Sequence, residues 1–109
     1  MSTDDDTTGQ EFDEAVNMTA GQLSAWLETE ESTSVGQDDG GESVGHRSGR
    51  RIVEILRTPK GERTDADHEH MRTVVGYVHR HLAQRPDGDV RETRWRYSLM
   101  NWGHDPLQD

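Results

Sequence analysis

Apolar residues recur along the chain at the spacing of α-helices. Leu23, Trp26 and Leu27 follow the i, i+3, i+4 rule, which places their side chains on one helix face. Thr19 opens a T-x-x-Q sequence, the pattern of a capping box. The chain is therefore predicted to form a helix over about residues 20–30. Its last turn is expected to fray, because acidic residues lie there against the helix dipole.

A second apolar stripe lies in residues 43–57. At 100° per residue, Ile52 and Ile55 fall in one sector with Val44, which predicts a helix. Two glycines of the sequence GHRSG flank this stripe and leave room for another backbone to approach closely. Each glycine costs about 1 kcal/mol of helix propensity, so a later start at Ser48 is the alternative.

The stretch from Thr64 to about Arg85 carries the most regular pattern. Thr64 and Asp67 supply an N-terminal signal, and Pro86 ends the predicted helix. Its apolar residues span only about 100° of the helix circumference, which predicts one buried face. These residues are Met71, Val74, Val75, Val78 and Leu82.

A last helix is predicted to open at Asp89 and Glu92 and to end at Gly103. Its apolar residues form two sectors separated by charged and polar positions. One sector holds Trp95, Leu99 and Trp102, and the other holds Thr93, Tyr97 and Met100. Two interpretations are open: a central helix packed on both sides, or a helix with one exposed sector that binds a partner.

Polar segments separate these helices. Residues 1–10 have no apolar period and are predicted to be a disordered acidic tail, while residues 11–16 add a weak helical turn. Residues 31–42 are rich in Gly, Asp and Ser and predict an exposed loop. The predicted fold class is all-α: a small bundle of about four helices, forming a single helical domain over residues 11–107.

Charge is distributed unevenly along the 109 residues. Twelve of the 22 acidic residues lie before position 46, all twelve Lys and Arg residues lie after position 45, and the net charge is −10. Eleven of the twelve basic residues are Arg. We interpret an acidic chain with almost no Lys as a halophilic protein, since salt screens its self-repulsion. The alternative is an acidic half that covers the Arg-rich half or binds a basic partner.

Composition excludes several classes of protein. The chain has no Cys, which rules out disulfides, Cys zinc sites and thiol chemistry. No apolar run approaches ~18 residues, so no membrane partner is expected. The acidic, polar N-terminus lacks the form of a signal peptide, which predicts a cytoplasmic location.

Six histidines and one Gly-rich stretch are the candidates for metal or phosphate chemistry. His68/His70 and His79/His81 are H-x-H pairs, whose members point about 200° apart on a helix and do not chelate one ion. The sequence GGESVGH precedes a helix but lacks the Lys of a P-loop. Without a nucleophile–base motif, no cofactor, metal or small-molecule substrate is expected, and the protein is predicted not to be an enzyme.

The arginines indicate a nucleic-acid partner, DNA or RNA. In the second helix they lie opposite the apolar stripe, and in the last helix they alternate with aromatic residues, which suits phosphate contacts and base stacking. The candidate residues are Arg47, Arg50, Arg51, Arg57, Arg94, Trp95, Arg96 and Tyr97, and the third helix adds Arg72, Arg80 and Arg85. The alternative function is an adaptor that binds another protein or a second copy through Trp95, Leu99 and Trp102.

Several linked strings resemble an uncharacterised family of short prokaryotic and fungal proteins. They are SVG at 34–36, GHRSGRRIV at 45–53, HMRTVVGY at 70–77, RHLAQRP at 80–86 and SLMNWGHDP at 98–106. The resemblance covers about residues 11–107. It implies a domain of unknown function, some of whose members carry a DNA-binding label, and it supplies no catalytic residues.

Overall fold

Helices account for the secondary structure of residues 3–35 and 44–108, the part that the computed structural model describes. They are α1 (Thr3–Ala15), α2 (Ala20–Leu27), α3 (Glu30–Ser34), α4 (Val44–Arg57), α5 (Asp65–Leu82) and α6 (Arg94–Asn101), with a 3₁₀ turn at Lys60–Glu62. These described residues contain no strand, so the all-α prediction is confirmed for them. The exposed loop predicted over residues 31–42 is wrong for residues 31–34, which belong to the short helix α3 with Ser32 buried, and its residues from 36 onward lie outside the described part of the chain.

Two capping boxes begin helices where the sequence predicts them. Thr19 Oγ1 accepts a hydrogen bond from the Gln22 N–H at 3.1 Å, and the Thr19 N–H donates to the Gln22 side chain at 2.9 Å. Thr64 and Asp67 form the same reciprocal pair at 3.1 and 3.0 Å at the start of α5. Each box satisfies backbone N–H groups that the first helical turn leaves without an acceptor.

The predicted helix over residues 20–30 is divided in two. α2 ends at Leu27, and the short α3 follows. The break arises because Thr29 acts as a new N-cap: its hydroxyl oxygen accepts the Ser32 N–H at 3.2 Å. At the acidic end, where the helix was expected to fray, the chain instead forms a turn and then begins a new helix.

Helix α6 begins later than predicted and ends where predicted. Its N-cap is Thr93, whose Oγ1 accepts the Arg96 N–H at 3.2 Å. Gly103 follows the helix at φ 84°, a left-handed conformation that favours glycine. The N–H groups after the helix fold back onto the carbonyls of Leu99 and Met100 at 3.0 and 2.9 Å, which is a Schellman motif.

The N-terminal segment differs most from the sequence prediction. Residues 3–15 form α1, whereas a disordered tail was expected over residues 1–10. α1 packs extensively against α5, and Thr8, Phe12 and Ala15 are buried. These positions are four and three residues apart, so they share one helix face. The pattern was missed because its first member is a threonine rather than an apolar residue.

A tight crossing of α4 with α2 and α6 organises the core. A Cβ added at Gly49 would lie 2.5 Å from the backbone oxygen of Asn101 and 2.7 Å from Leu27, so only glycine fits there. The close backbone approach predicted for this helix is confirmed. Val44 departs from the predicted stripe, because its side chain is 73% exposed at the start of α4.

Candidate nucleic-acid interface

Helix α4 separates a packed side from an exposed side. The packed side holds Ser48, Gly49, Ile52, Val53 and Ile55. Arg47, Arg50 and Arg57 are exposed on the other side and extend over about 15 Å at 1.5 Å per residue. The exposed Glu54 lies among them and removes one unit of positive charge. The three arginines of the predicted α4 face therefore lie together on one surface.

Arg51, the fourth α4 candidate, joins two helices. Its Nη2 donates to Asp67 Oδ1 at 2.8 Å, which connects α4 to the first turn of α5. The backbone hydrogen bond from Thr64 lowers the pKa of the Asp67 carboxyl, and Arg51 lowers it further. The Asp67 carboxylate is thus held charged at the site where it orients Arg51.

Two of the α6 candidates are engaged inside the protein. Trp95 is buried, and its Nε1 donates to the His81 carbonyl at 2.6 Å. Arg96 donates through Nε and Nη2 to the two carboxylate oxygens of Asp105, both at 3.1 Å. This corrects the expectation that both side chains are presented to a nucleic acid, since the fold uses their ring and guanidinium groups.

The other two α6 candidates differ from each other. Tyr97 is half-buried, with its ring centroid 5.5 Å from that of Trp26. Arg94 is exposed in the first turn of the helix. Of the predicted Arg–aromatic alternation in α6, only Arg94 thus presents an exposed side chain.

A stack of aromatic rings connects α5 with α6. Trp102 lies between His70 and Tyr77, with ring centroids 6.3 and 4.1 Å apart and ring planes within 14°. His81 continues the stack between Tyr77 and Trp95 at 5.1 and 6.1 Å. Trp95 and Trp102 are seven residues apart, and the α5 rings follow one another at seven and four residues, so each set lies on one face of its helix. Sequence reasoning treated these histidines only as metal candidates.

Burial in this stack changes the properties of its histidines. Desolvation lowers the pKa of both His70 and His81, and the nearby charge of Arg51 lowers that of His70 further. The guanidinium of Arg85 lies over the Trp95 ring, 5.4 Å from its centroid. The stack therefore favours neutral imidazole rings.

The partner surface expected on α6 is not exposed. Trp95 and Trp102 are 7% exposed and Leu99 is fully buried. α6 packs against α2, α3, α4 and α5, which is the central-helix interpretation. The expectation of an exposed Trp-rich sector is therefore wrong for these three side chains.

One side-chain pair has the geometry of a nucleophile and its base. Ser48 Oγ lies 3.0 Å from His70 Nε2. Ser48 is only 4% exposed, however, so its hydroxyl is shielded from a substrate. We interpret the pair as a bridge between α4 and α5. Its members are 22 residues apart, which is why no sequence motif reveals it.

The end of α6 carries hydrogen bonds that hold distant segments. Asn101 is 1% exposed, and its Oδ1 accepts from Trp26 Nε1 at 2.7 Å and from Ser32 Oγ at 2.5 Å. Its Nδ2 donates to the Ser32 carbonyl at 3.0 Å. One buried amide thus joins α2, α3 and α6, and both its oxygen and its nitrogen have hydrogen-bond partners.

The residues after α6 hold the N-terminal part of the chain. His104 Nδ1 bonds to the Ala15 carbonyl at 2.7 Å. The Asp105 N–H donates to Asn17 Oδ1 at 2.8 Å, and Asn17 Nδ2 donates to the Asp105 carbonyl at 2.9 Å. The SLMNWGHDP string is therefore explained by scaffolding contacts.

An open depression lies between α4 and α5, next to the arginine face. Its volume is about 580 Å³, and it is lined by Arg51, Ala66, Glu69, His70, Arg72 and Thr73. In residues 3–35 and 44–108, no three His, Asp or Glu side chains converge to hold a metal ion. None of the helices in this described part is long and apolar enough to cross a membrane.

These observations define a class of protein: an all-α domain with a largely buried aromatic stack between α5 and α6, and an arginine-rich helix, α4, at its surface. The family described as "Protein of unknown function (DUF3140)" matches residues 11–100, and the chain belongs to this family. No curated protein and no solved structure shows significant similarity to the chain.

Proposed function

We propose that this is a non-enzymatic, nucleic-acid-associated protein that contacts phosphates through the exposed face of α4. The observation that carries the proposal is the exposure of Arg47, Arg50 and Arg57 along one side of a helix whose other side is buried. Arginine suits this role because its guanidinium fork matches the geometry of phosphate oxygens. Because the other side of the helix is packed, the backbone that carries these side chains does not have to be ordered on binding.

Phosphate contacts are favoured over base stacking in this proposal. Trp95 is buried and Tyr97 is half-buried against Trp26, so neither presents an open ring to a base. Contacts to phosphates position a protein on a nucleic acid without reading sequence. We therefore propose binding that is largely independent of base sequence and that falls steeply with salt.

The adaptor alternative has weaker support. It requires Trp95, Leu99 and Trp102 as exposed anchors, whereas all three pack inside the protein. Among the described residues, the large apolar side chains that are exposed are Val44 and Leu107, which come from distant parts of the chain.

We further propose a cytoplasmic location in a salt-rich cell. The net charge of −10 with a single Lys supports it, because self-repulsion on so acidic a chain is reduced when salt screens it. The melting midpoint, followed by circular dichroism, is expected to be higher in 2 M than in 0.1 M KCl. An equal or lower midpoint in 2 M KCl contradicts the halophilic interpretation.

Fluorescence anisotropy with a labelled DNA duplex over a salt series tests the nucleic-acid proposal. Replacing Arg50 or Arg57 with Gln should weaken binding and reduce the slope of log K against log [salt] by about 0.9 per lost contact. Arg91→Gln is the control, because it removes the same charge from an exposed side chain in the turn before α6, where Arg91 is paired with Asp89. Two duplexes of unrelated sequence should give similar affinities.

Binding at 0.1 M salt is the decisive condition, since electrostatic association is strongest at low salt. A folded protein that fails to bind duplex and single-stranded DNA and RNA there overturns the proposal. Equal losses for Arg50→Gln and Arg91→Gln would show that net charge, rather than the α4 face, causes the binding.

A further inference from the structure

The depression between α4 and α5 brings together arginines from both helices. Arg51 projects from α4 and Arg72 from α5, and His70 and Thr73 complete the polar lining. The side chain of Arg51 is 41% exposed although its Nη2 is bonded to Asp67. A ligand in the depression therefore meets two guanidinium groups, one of them oriented by an ion pair.

The two arginines of the lining suit a compact oxyanion better than a cation or an apolar ligand. Guanidinium groups donate several hydrogen bonds in a plane and bind phosphate in a two-pronged manner. Glu69 weakens the binding of an anion, because its carboxylate also lines the depression and repels negative charge. The Asp67 charge is already matched by Arg51. The net charge of the site is therefore close to zero, with two arginines (Arg51, Arg72) and two carboxylates (Asp67, Glu69). Anion binding thus depends on where the guanidinium groups lie.

The depression lies beside the α4 face, because Arg51 of α4 forms part of its lining. Arg47 precedes Arg51 by four residues, and side chains at this spacing are neighbours on a helix surface. A nucleic-acid strand that follows the α4 arginines thus passes the mouth of the depression. We propose that the depression seats one phosphate group of the nucleic-acid backbone, with Arg72 as its main donor and Arg51 at its edge. This inference rests on the proposed function of the α4 face.

His70 provides a reporter inside the proposed site. It lines the depression, its Nε2 bonds to Ser48, and its ring stacks on Trp102. Burial lowers its pKa, and the Arg51 charge lowers it further. An anion bound beside Arg51 offsets that charge, so phosphate binding should raise the pKa of His70.

The experiment follows the His70 ring by NMR while the full chain is titrated at 0.1 M salt, first with inorganic phosphate and then with a short DNA duplex. Arg72→Gln should weaken phosphate binding by about three- to ten-fold, as expected for one charge–charge contact near a surface. Glu69→Gln should strengthen it by a similar factor, a gain that misfolding does not produce. Arg91→Gln, remote in sequence and exposed, should leave the affinity unchanged.

The possible outcomes distinguish a failure of the phosphate site from a failure of the proposed nucleic-acid function. The proposal is supported if phosphate and duplex both raise the pKa of His70 and if the two depression variants change binding in opposite directions. A response to inorganic phosphate alone overturns the nucleic-acid source and shows a free-anion site. Duplex binding that leaves His70 unchanged overturns the phosphate seat but not the α4 face. Absence of duplex binding overturns both.

Discussion

Helices α4 and α6 carry similar arginine-rich sequences, but the fold uses them differently. On α4, Arg47, Arg50 and Arg57 are exposed, while the packed side combines small residues with Ile52, Val53 and Ile55. On α6, Trp95 is buried, and Arg96 is only 22% exposed in its pair with Asp105. The arginines of a helix are thus accessible to a ligand only where their side of the helix lies at the surface.

The difference arises from where each helix packs. α6 contacts α2, α3, α4 and α5, so both of its apolar sectors find neighbours. Its guanidinium groups then lie within reach of carboxylates and carbonyls, as the bond from Arg96 Nη1 to the Arg91 carbonyl at 2.9 Å illustrates. α4 buries one side only, and the small residues Gly45, Ser48 and Gly49 let that side pack closely.

Removing the aromatic ring at the C-terminal end of α6 should cost the most stability. Trp102→Ala is expected to lower the free energy of unfolding by about 3–5 kcal/mol, because the ring is buried and stacks on Tyr77 and His70. Arg50→Ala, its counterpart on the exposed side of α4, should stay within about 0.5 kcal/mol of the original protein. Urea unfolding followed by circular dichroism measures both. Similar stability for the two variants would contradict the distinction between α4 and α6.

A methyl group at the α4 crossing should have the next largest effect. Gly49→Ala places a Cβ 2.5 Å from the Asn101 carbonyl oxygen and should cost about 1–3 kcal/mol of stability. Gly21→Ala is the control, because nothing lies within 4 Å of its Cβ. There the gain in helix propensity should stabilise the protein by up to about 1 kcal/mol. A melting midpoint that is unchanged or raised in Gly49→Ala would disprove the close crossing.

The two kinds of arginine should also differ in stability. Arg96→Gln breaks a two-pronged bond to a largely buried carboxylate and is expected to cost about 1–3 kcal/mol. Arg57→Gln should cost less than about 0.5 kcal/mol, since the side chain is exposed. Conversely, only Arg57→Gln should weaken duplex binding. If Arg96→Gln leaves unfolding unchanged and weakens binding, the roles assigned to the two arginines are reversed.

Acid should destabilise the aromatic stack by a smaller amount, because its histidines are only half-buried. The pKa values of His70 and His81 are lower in the folded than in the unfolded protein. The unfolded chain therefore binds more protons as pH falls below about 6.5, and stability is lost from there towards the folded pKa values. His81→Phe should reduce this slope, measured as melting midpoint against pH. An unchanged slope would show that His81 does not contribute.

Local signals were sufficient for much of the fold. The sequence predicts the capping box at Thr19, the helix start at Thr64, the buried face around Val78 and the turn at Gly103, and the structure has all four. Each of these features depends on residues that are close in sequence. Because helical turns have nearly the same geometry in every protein, the sequence spacing alone predicts the contact. The α1 helix was missed because its stripe begins at Thr8, a polar residue that the tertiary structure buries.

The sequence by itself therefore determined the helical class, the main helix starts and the arginines available for binding. Only the tertiary structure decided which arginines remain at the surface. Arg51 meets Asp67 sixteen residues away, and Asn101 bonds to Ser32 across 69 residues. Such partners come together only when the helices pack. Their pairing depends on distances between separate elements, whereas helix formation depends on the spacing of neighbours along one chain.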